Sequence, residues 1–139
     1  MLKKTITFTD YNDVTRTEDY YFNLDKSELY EMEAESYGGY GQMLQRIIDS
    51  PDTKKTMEYL KDLILRAVGE KSPDGINFDK NDEISNRFYH SAAYDNLLCS
   101  MVENPDVAAE FAKGIIPKAM LQAVSSASSE LPGALGMVK

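Results

Sequence analysis

The sequence predicts an α+β fold, mostly α: an N-terminal β-hairpin packed on a small bundle of five to six helices, followed by a flexible C-terminal tail. Three observations carry this. Polar and apolar residues alternate with period 2 up to about residue 24, which is the pattern of half-buried strands. From residue 25 to 124 cap signals and 3.6-residue apolar stripes follow one another. From Ser125 the composition turns to Ser, Ala, Gly and Pro. The expected organisation is one globular domain over 1–124, with the hairpin in 1–24 and helices in 25–124, and a flexible tail over 125–139. A chain of 139 residues that is 42% hydrophobic suits one core of ordinary domain size.

The first strand is read from Leu2, Lys4, Ile6 and Phe8 alternating with Lys3, Thr5 and Thr7, a run rich in β-branched residues. Asp10-Tyr11-Asn12-Asp13 supplies the turn, because Asn and Asp tolerate left-handed backbone and bond to their own chain. Tyr20, Phe22 and Leu24 then share one face, opposite Thr17, Asp19 and Tyr21. A lone hairpin is marginal in water, so this face needs a helical cover.

Asp25-Lys26-Ser27-Glu28 opens the first helix as a capping box. Leu29 and Met32 point inward, and the helix leaves at Gly38-Gly39. A short second helix carries Met43, Leu44, Ile47 and Ile48. Ser50-Pro51-Asp52 starts the strongest helix, expected over Pro51–Val68, with Met57, Leu60, Leu63, Ile64, Ala67 and Val68 in one stripe. Lys54–Glu58 and Asp62–Arg66 are spaced to pair on its wet face, and Gly69 is expected to end it. Ser72-Pro73-Asp74-Gly75 is a turn, with Ile76 and Phe78 alternating after it as a small hairpin or a structured loop. Asn81 or Asp82 caps a helix bearing Ile84 and Phe88. Ala93, Leu97, Leu98, Met101 and Val102 make the next stripe. Asn104-Pro105-Asp106 starts a helix with Val107, Ala108 and Phe111, closed by Gly114. A last amphipathic stretch holds Met120, Ala123 and Val124.

Charge and composition narrow the function. Fifteen basic residues against 23 acidic ones give −8, which repels nucleic acid and anionic membranes as partners. No apolar run is long enough for a membrane helix, and the N-terminus lacks the pattern of a secretory signal. A single cysteine leaves no disulfide framework and no cysteine-based zinc site.

Candidate chemistry is scarce. His90 is the one histidine and reads as a helix-end or surface residue. Cys99, among Leu97, Leu98, Met101 and Val102, reads as a small core hydrophobe. Glu18, Asp19, Asp25, Glu28, Glu31, Glu33 and Glu35 face only Lys26 between positions 18 and 35, a net of −6. They read as a solvated face or a contact for a basic partner. Gly38-Gly39-Tyr40-Gly41 lacks the lysine of a phosphate-binding loop. No catalytic residue, metal site or cofactor site is predicted, the partner-binding residues stay unknown, and the expected work is binding to other proteins.

The chain resembles the tail assembly chaperones of long-tailed bacteriophages and prophages of Gram-positive hosts. The likeness runs through Thr5–Tyr11, Arg16–Leu24, Lys26–Leu29, the Gly38-Gly39 break and Gln45–Ile48. Its most specific stretches are Leu60–Leu65 with Gly69–Gly75, and Ala108–Pro117. The resemblance implies a non-enzymatic protein of the bacterial host cytoplasm. It implies binding to the phage tape measure protein, whose long helix exposes apolar stripes, with the major tail tube protein as a second partner. It also implies absence from the mature virion. A homo-oligomer is compatible with it. The reading from another class is a structural tail connector or completion protein retained in the particle.

Overall fold

The computed structural model describes residues 1–34 and 53–117. Its first elements are the strands β1 (Leu2–Thr9) and β2 (Thr15–Phe22) and the helices α1 (Lys26–Ala34) and α2 (Thr53–Ala67). The strands β3 (Val68–Lys71) and β4 (Phe78–Asp79) follow, then α3 (Asp82–Tyr89), α4 (Ala92–Glu103) and α5 (Pro105–Gly114). The expected α+β architecture is present, with the N-terminal hairpin and a helical majority. The Gly38-Gly39 break, the short helix with Met43 to Ile48, the Ser50-Pro51-Asp52 start, the last amphipathic stretch and the tail lie outside the described residues.

The four strands form one antiparallel meander in the order β1-β2-β3-β4. β1 and β2 pair along their whole length, from Leu2 opposite Phe22 to Thr9 opposite Thr15. β3 meets β2 only at Val68 and Gly69, then turns to pair with β4. This corrects one expectation. Val68 does not continue the helical stripe and Gly69 does not end a helix: α2 stops at Ala67 and the chain runs directly into β3. The β-branched Val68 suits a strand as well as a helix face, and the structure uses Gly69 for closeness. A Cβ there would stand 2.6 Å from the Phe78 ring and 2.8 Å from the Asp79 carbonyl.

Local signals explain the remaining boundaries. Asp25 donates its backbone N–H to Glu28 at 2.8 Å, the backward reach of a capping box. Asn81 accepts from the Ile84 amide at 2.9 Å, and Asn104 accepts from the Asp106 amide at 3.0 Å with Pro105 in the first turn. Ser91 caps α4 through the Tyr94 amide.

The core forms where α4 crosses β1, α2, α3 and α5. Leu60, Leu63 and Ile64 of α2 are buried, as are Leu97 and Met101 of α4 and Phe111 of α5. Met57, at the other end of the expected stripe, is 41% exposed, so the stripe is core only from Leu60 onward. Phe22 sits at the centre, 5.6 Å from the Phe88 ring and 5.1 Å from the Phe111 ring, both edge-on. Edge-on pairs match the positive rim of one ring to the negative face of another. Past Phe22, the Asn23 amide bonds to Ala67 O and the Leu24 amide to Ile115 O, so the ends of β2, α2 and α5 are tied at one junction.

Candidate interaction surface

The residues with chemical potential are dispersed. His90 is the exposed C-cap of α3, with Nδ1 2.8 Å from the Asn86 carbonyl and its ring against Tyr89. Cys99 contradicts the core expectation: it is exposed. The buried residues of α4 are Ala93, Tyr94, Leu97, Leu98 and Met101, and at 100° per residue that arc turns position 99 outward beside Asp95. Partial desolvation, then the Asp95 and Glu103 carboxylates, push the thiol above its ordinary value, the opposite of what a nucleophile needs. Among the described residues, no three of His, Cys, Asp and Glu stand together as a metal cage.

The acidic stretch is divided among local tasks. Glu18 meets Arg16 at 3.4 Å, Asp19 accepts from the Thr5 hydroxyl at 2.6 Å, and Asp25 accepts from the Asn23 amide group at 2.8 Å. Glu28 pairs with Lys80, which also donates to the Asn23 carbonyl at 2.8 Å. That pair ties the start of α1 to the segment after β4. Glu31 is exposed, while the Glu33 side chain and Glu35 lie outside the described residues.

The tyrosines also divide. Tyr20 and Tyr94 flank Phe88 at 4.9 and 6.0 Å, and burial, aided by Tyr89 and Asp95, pushes the Tyr94 phenol up to about 12. Such rings are packing elements, not stacking platforms. Tyr11 is different: it is 81% exposed.

Two concave places flank α3. An open groove of about 160 Å³ lies over Tyr20, Val68, Gly69, Ile84 and Phe88, with the Arg87–Glu70 pair at its rim at 2.9 Å. A wider depression of about 430 Å³ separates α2 from α3 and is lined by Glu58, Lys61, Asp62, Leu65, Asp82 and Asn86. Neither brings together an acid–base pair with a nucleophile.

The turns show a clearer organisation. In an antiparallel meander the β1–β2 and β3–β4 connections lie at the same end of the sheet. Asp10 holds the first turn: Oδ1 accepts the amides of Asn12 and Val14 at 2.8 and 3.0 Å, and Oδ2 meets Arg16 at 2.7 Å. Asp13 adopts φ 61°, left-handed backbone that Asp tolerates better than most residues. Asp74 holds the second turn, accepting from the Ser72 hydroxyl at 2.6 Å and the Ile76 amide at 3.0 Å, while Gly75 takes φ 78°. Those hydrogen bonds lower both carboxyl groups, chiefly through Val14 N–H for Asp10 and the Ser72 hydroxyl for Asp74.

Among the described residues the candidate chemistry is dispersed, and the comparison with known families supplies the assignment. A family model described as phage tail assembly chaperone matches residues 1–134. The chain belongs to the phage tail assembly chaperone family. No curated protein and no solved structure matches it. The match takes in the hairpin, all five described helices and the β3–β4 unit, so the family assignment covers the whole described fold. It supports a role in building phage tails, as a chaperone of that assembly. Among the described residues, no helix is long and apolar enough to cross a membrane.

Sequence reasoning found both turns but not their common end. The signal it lacked was the β3 strand: with Val68 read as helix, nothing joined Ser72–Asn77 to the hairpin.

Proposed function

We propose that this chaperone binds the tape measure protein of a long-tailed phage in the host cytoplasm, keeps it soluble and promotes tail tube assembly around it. It acts by binding alone, needs neither ATP nor metal, and leaves before the virion is complete. The observation that carries this reading is the family match over residues 1–134. A long helical partner exposes apolar stripes, and a soluble cover for them needs apolar contacts on an otherwise charged surface. The net charge of −8 suits a protein that keeps such a complex dispersed.

Co-expression tests the reading. The tape measure protein should move from the insoluble to the soluble fraction when the chaperone is present, and ATP depletion or chelation should change nothing. Mass spectrometry of purified virions separates this from a retained connector: the chaperone should be absent or far below stoichiometric. Failure to rescue solubility together with a fixed copy number in the particle would establish the structural component instead.

A further inference from the structure

We propose that the turn end of the sheet is the docking surface, and that its occupant is a basic polypeptide segment with apolar side chains spaced among its lysines or arginines. The proposal deepens the chaperone reading by naming the surface and the chemistry it grips.

Three exposed large hydrophobics mark that end: Tyr11 at 81%, Val14 at 53% and Ile76 at 79% exposure. The sequence spaces Ile76 more than sixty positions from Val14, and only the meander brings their turns to one side of the molecule. The hairpin overhangs the rest of the sheet there. β2 meets β3 only at Tyr21 and Phe22, and from Thr15 to Asp19 it is exposed on both faces. At about 3.3 Å per residue the overhang spans more than one helical turn of a partner.

These apolar groups are displayed on ordered supports. Each turn is fixed by one aspartate that takes backbone amides, so docking there orders little new backbone and loses little conformational entropy. Tyrosine on such a support is a suitable anchor, with a large contact area for few rotatable bonds.

Charge decides the class of occupant. Across residues 10–18 and 72–77 there are four acids, Asp10, Asp13, Glu18 and Asp74, against one base, Arg16, a net of −3. Arg16 is held by Asp10 and Glu18. Nucleic acid and anionic lipid are repelled by this end. A second copy docking through the same end would set −3 against −3. A basic segment is attracted, and its apolar residues meet Tyr11, Val14 and Ile76.

NMR titration of the full chain with two synthetic helical peptides tests this without the phage partner. Both carry the same leucine stripe, one on a lysine background and the other on a glutamate background. The lysine peptide should shift the amides of residues 11–14 and 74–77, and the glutamate peptide should bind at least about tenfold more weakly. The triple variant Tyr11→Ser, Val14→Ser, Ile76→Ser should melt like the wild type and bind the lysine peptide at least about tenfold more weakly. Asp13→Asn, which keeps a residue tolerant of positive φ, should weaken it by a smaller factor. Shifts elsewhere, equal binding of both peptides, no binding of either, undiminished binding by the triple variant, or self-association through these turns would each overturn the proposal. The two readings fail separately: solubility rescue without peptide binding at this end removes the surface, and peptide binding without rescue removes the chaperone function.

Discussion

The two ends of the sheet are built by different physics. At the junction end, Phe22 is fully buried between Phe88 and Phe111, and backbone bonds from Asn23 and Leu24 join it to the ends of α2 and α5. In the turns themselves residues 11–14 and 73–77 are exposed, and order comes from Asp10 and Asp74 accepting backbone amides. Apolar burial stabilises the fold, whereas exposed side-chain-to-backbone bonds mainly select a conformation. The two ends should therefore respond differently: substitutions at the junction should unfold the chain, and substitutions of the exposed turn side chains should leave its stability nearly unchanged.

The largest effects belong to the junction. Phe22→Ala should cost about 3–5 kcal/mol in denaturant unfolding, since it removes a ring touching two others. Leu60→Ala or Ile64→Ala should cost roughly 2–5 kcal/mol, both residues being fully buried. A cost below about 1 kcal/mol for all three would end the division between the two ends. Next comes Gly69→Ala, whose added methyl meets Phe78 and the Asp79 carbonyl. It should destabilise by about 1–3 kcal/mol, the usual range for overpacking, and weaken hydrogen-exchange protection in β3 and β4 first. Smaller still is Lys80→Met, which strands Glu28 and the Asn23 carbonyl. Its expected cost is roughly 1–2 kcal/mol, read from the thermal midpoint.

The turn end should respond to acid instead of to cavities. Asp10 and Asp74 both lie below the ordinary aspartate value of 3.8 in the folded chain. The unfolded chain thus takes up these protons first. Their contribution is complete above pH 3.8 and is lost as pH falls through the lower folded values. Amide exchange at Val14 and Ile76 should quicken in that acidic window, and Asp10→Asn with Asp74→Asn should abolish the step. The smallest effect is Tyr11→Ser, expected within about 0.5 kcal/mol of wild type.

The same division governs what was legible in the sequence. Strand alternation, the Asn81 and Asn104 caps and the α2 stripe from Leu60 to Ala67 follow from local rules, and local rules sufficed for them. Val68 and Cys99 depart from their local pattern for tertiary reasons. Val68 fits a helical stripe but is claimed by β2 pairing. Cys99 has apolar neighbours in sequence while its own position on α4 faces solvent. The turn end is legible in the sequence as two separate turns, and only the pairing of β3 with β2 puts them at the same end of the sheet.

The proposed role as a cover for the tape measure protein makes one quantitative demand, that many copies bind each rod. A domain of 139 residues covers only a short length of a helix that rises about 1.5 Å per residue. Multi-angle light scattering of the purified complex with the tape measure protein reads the copy number directly. The account predicts several chaperones on each partner; a one-to-one complex would contradict it.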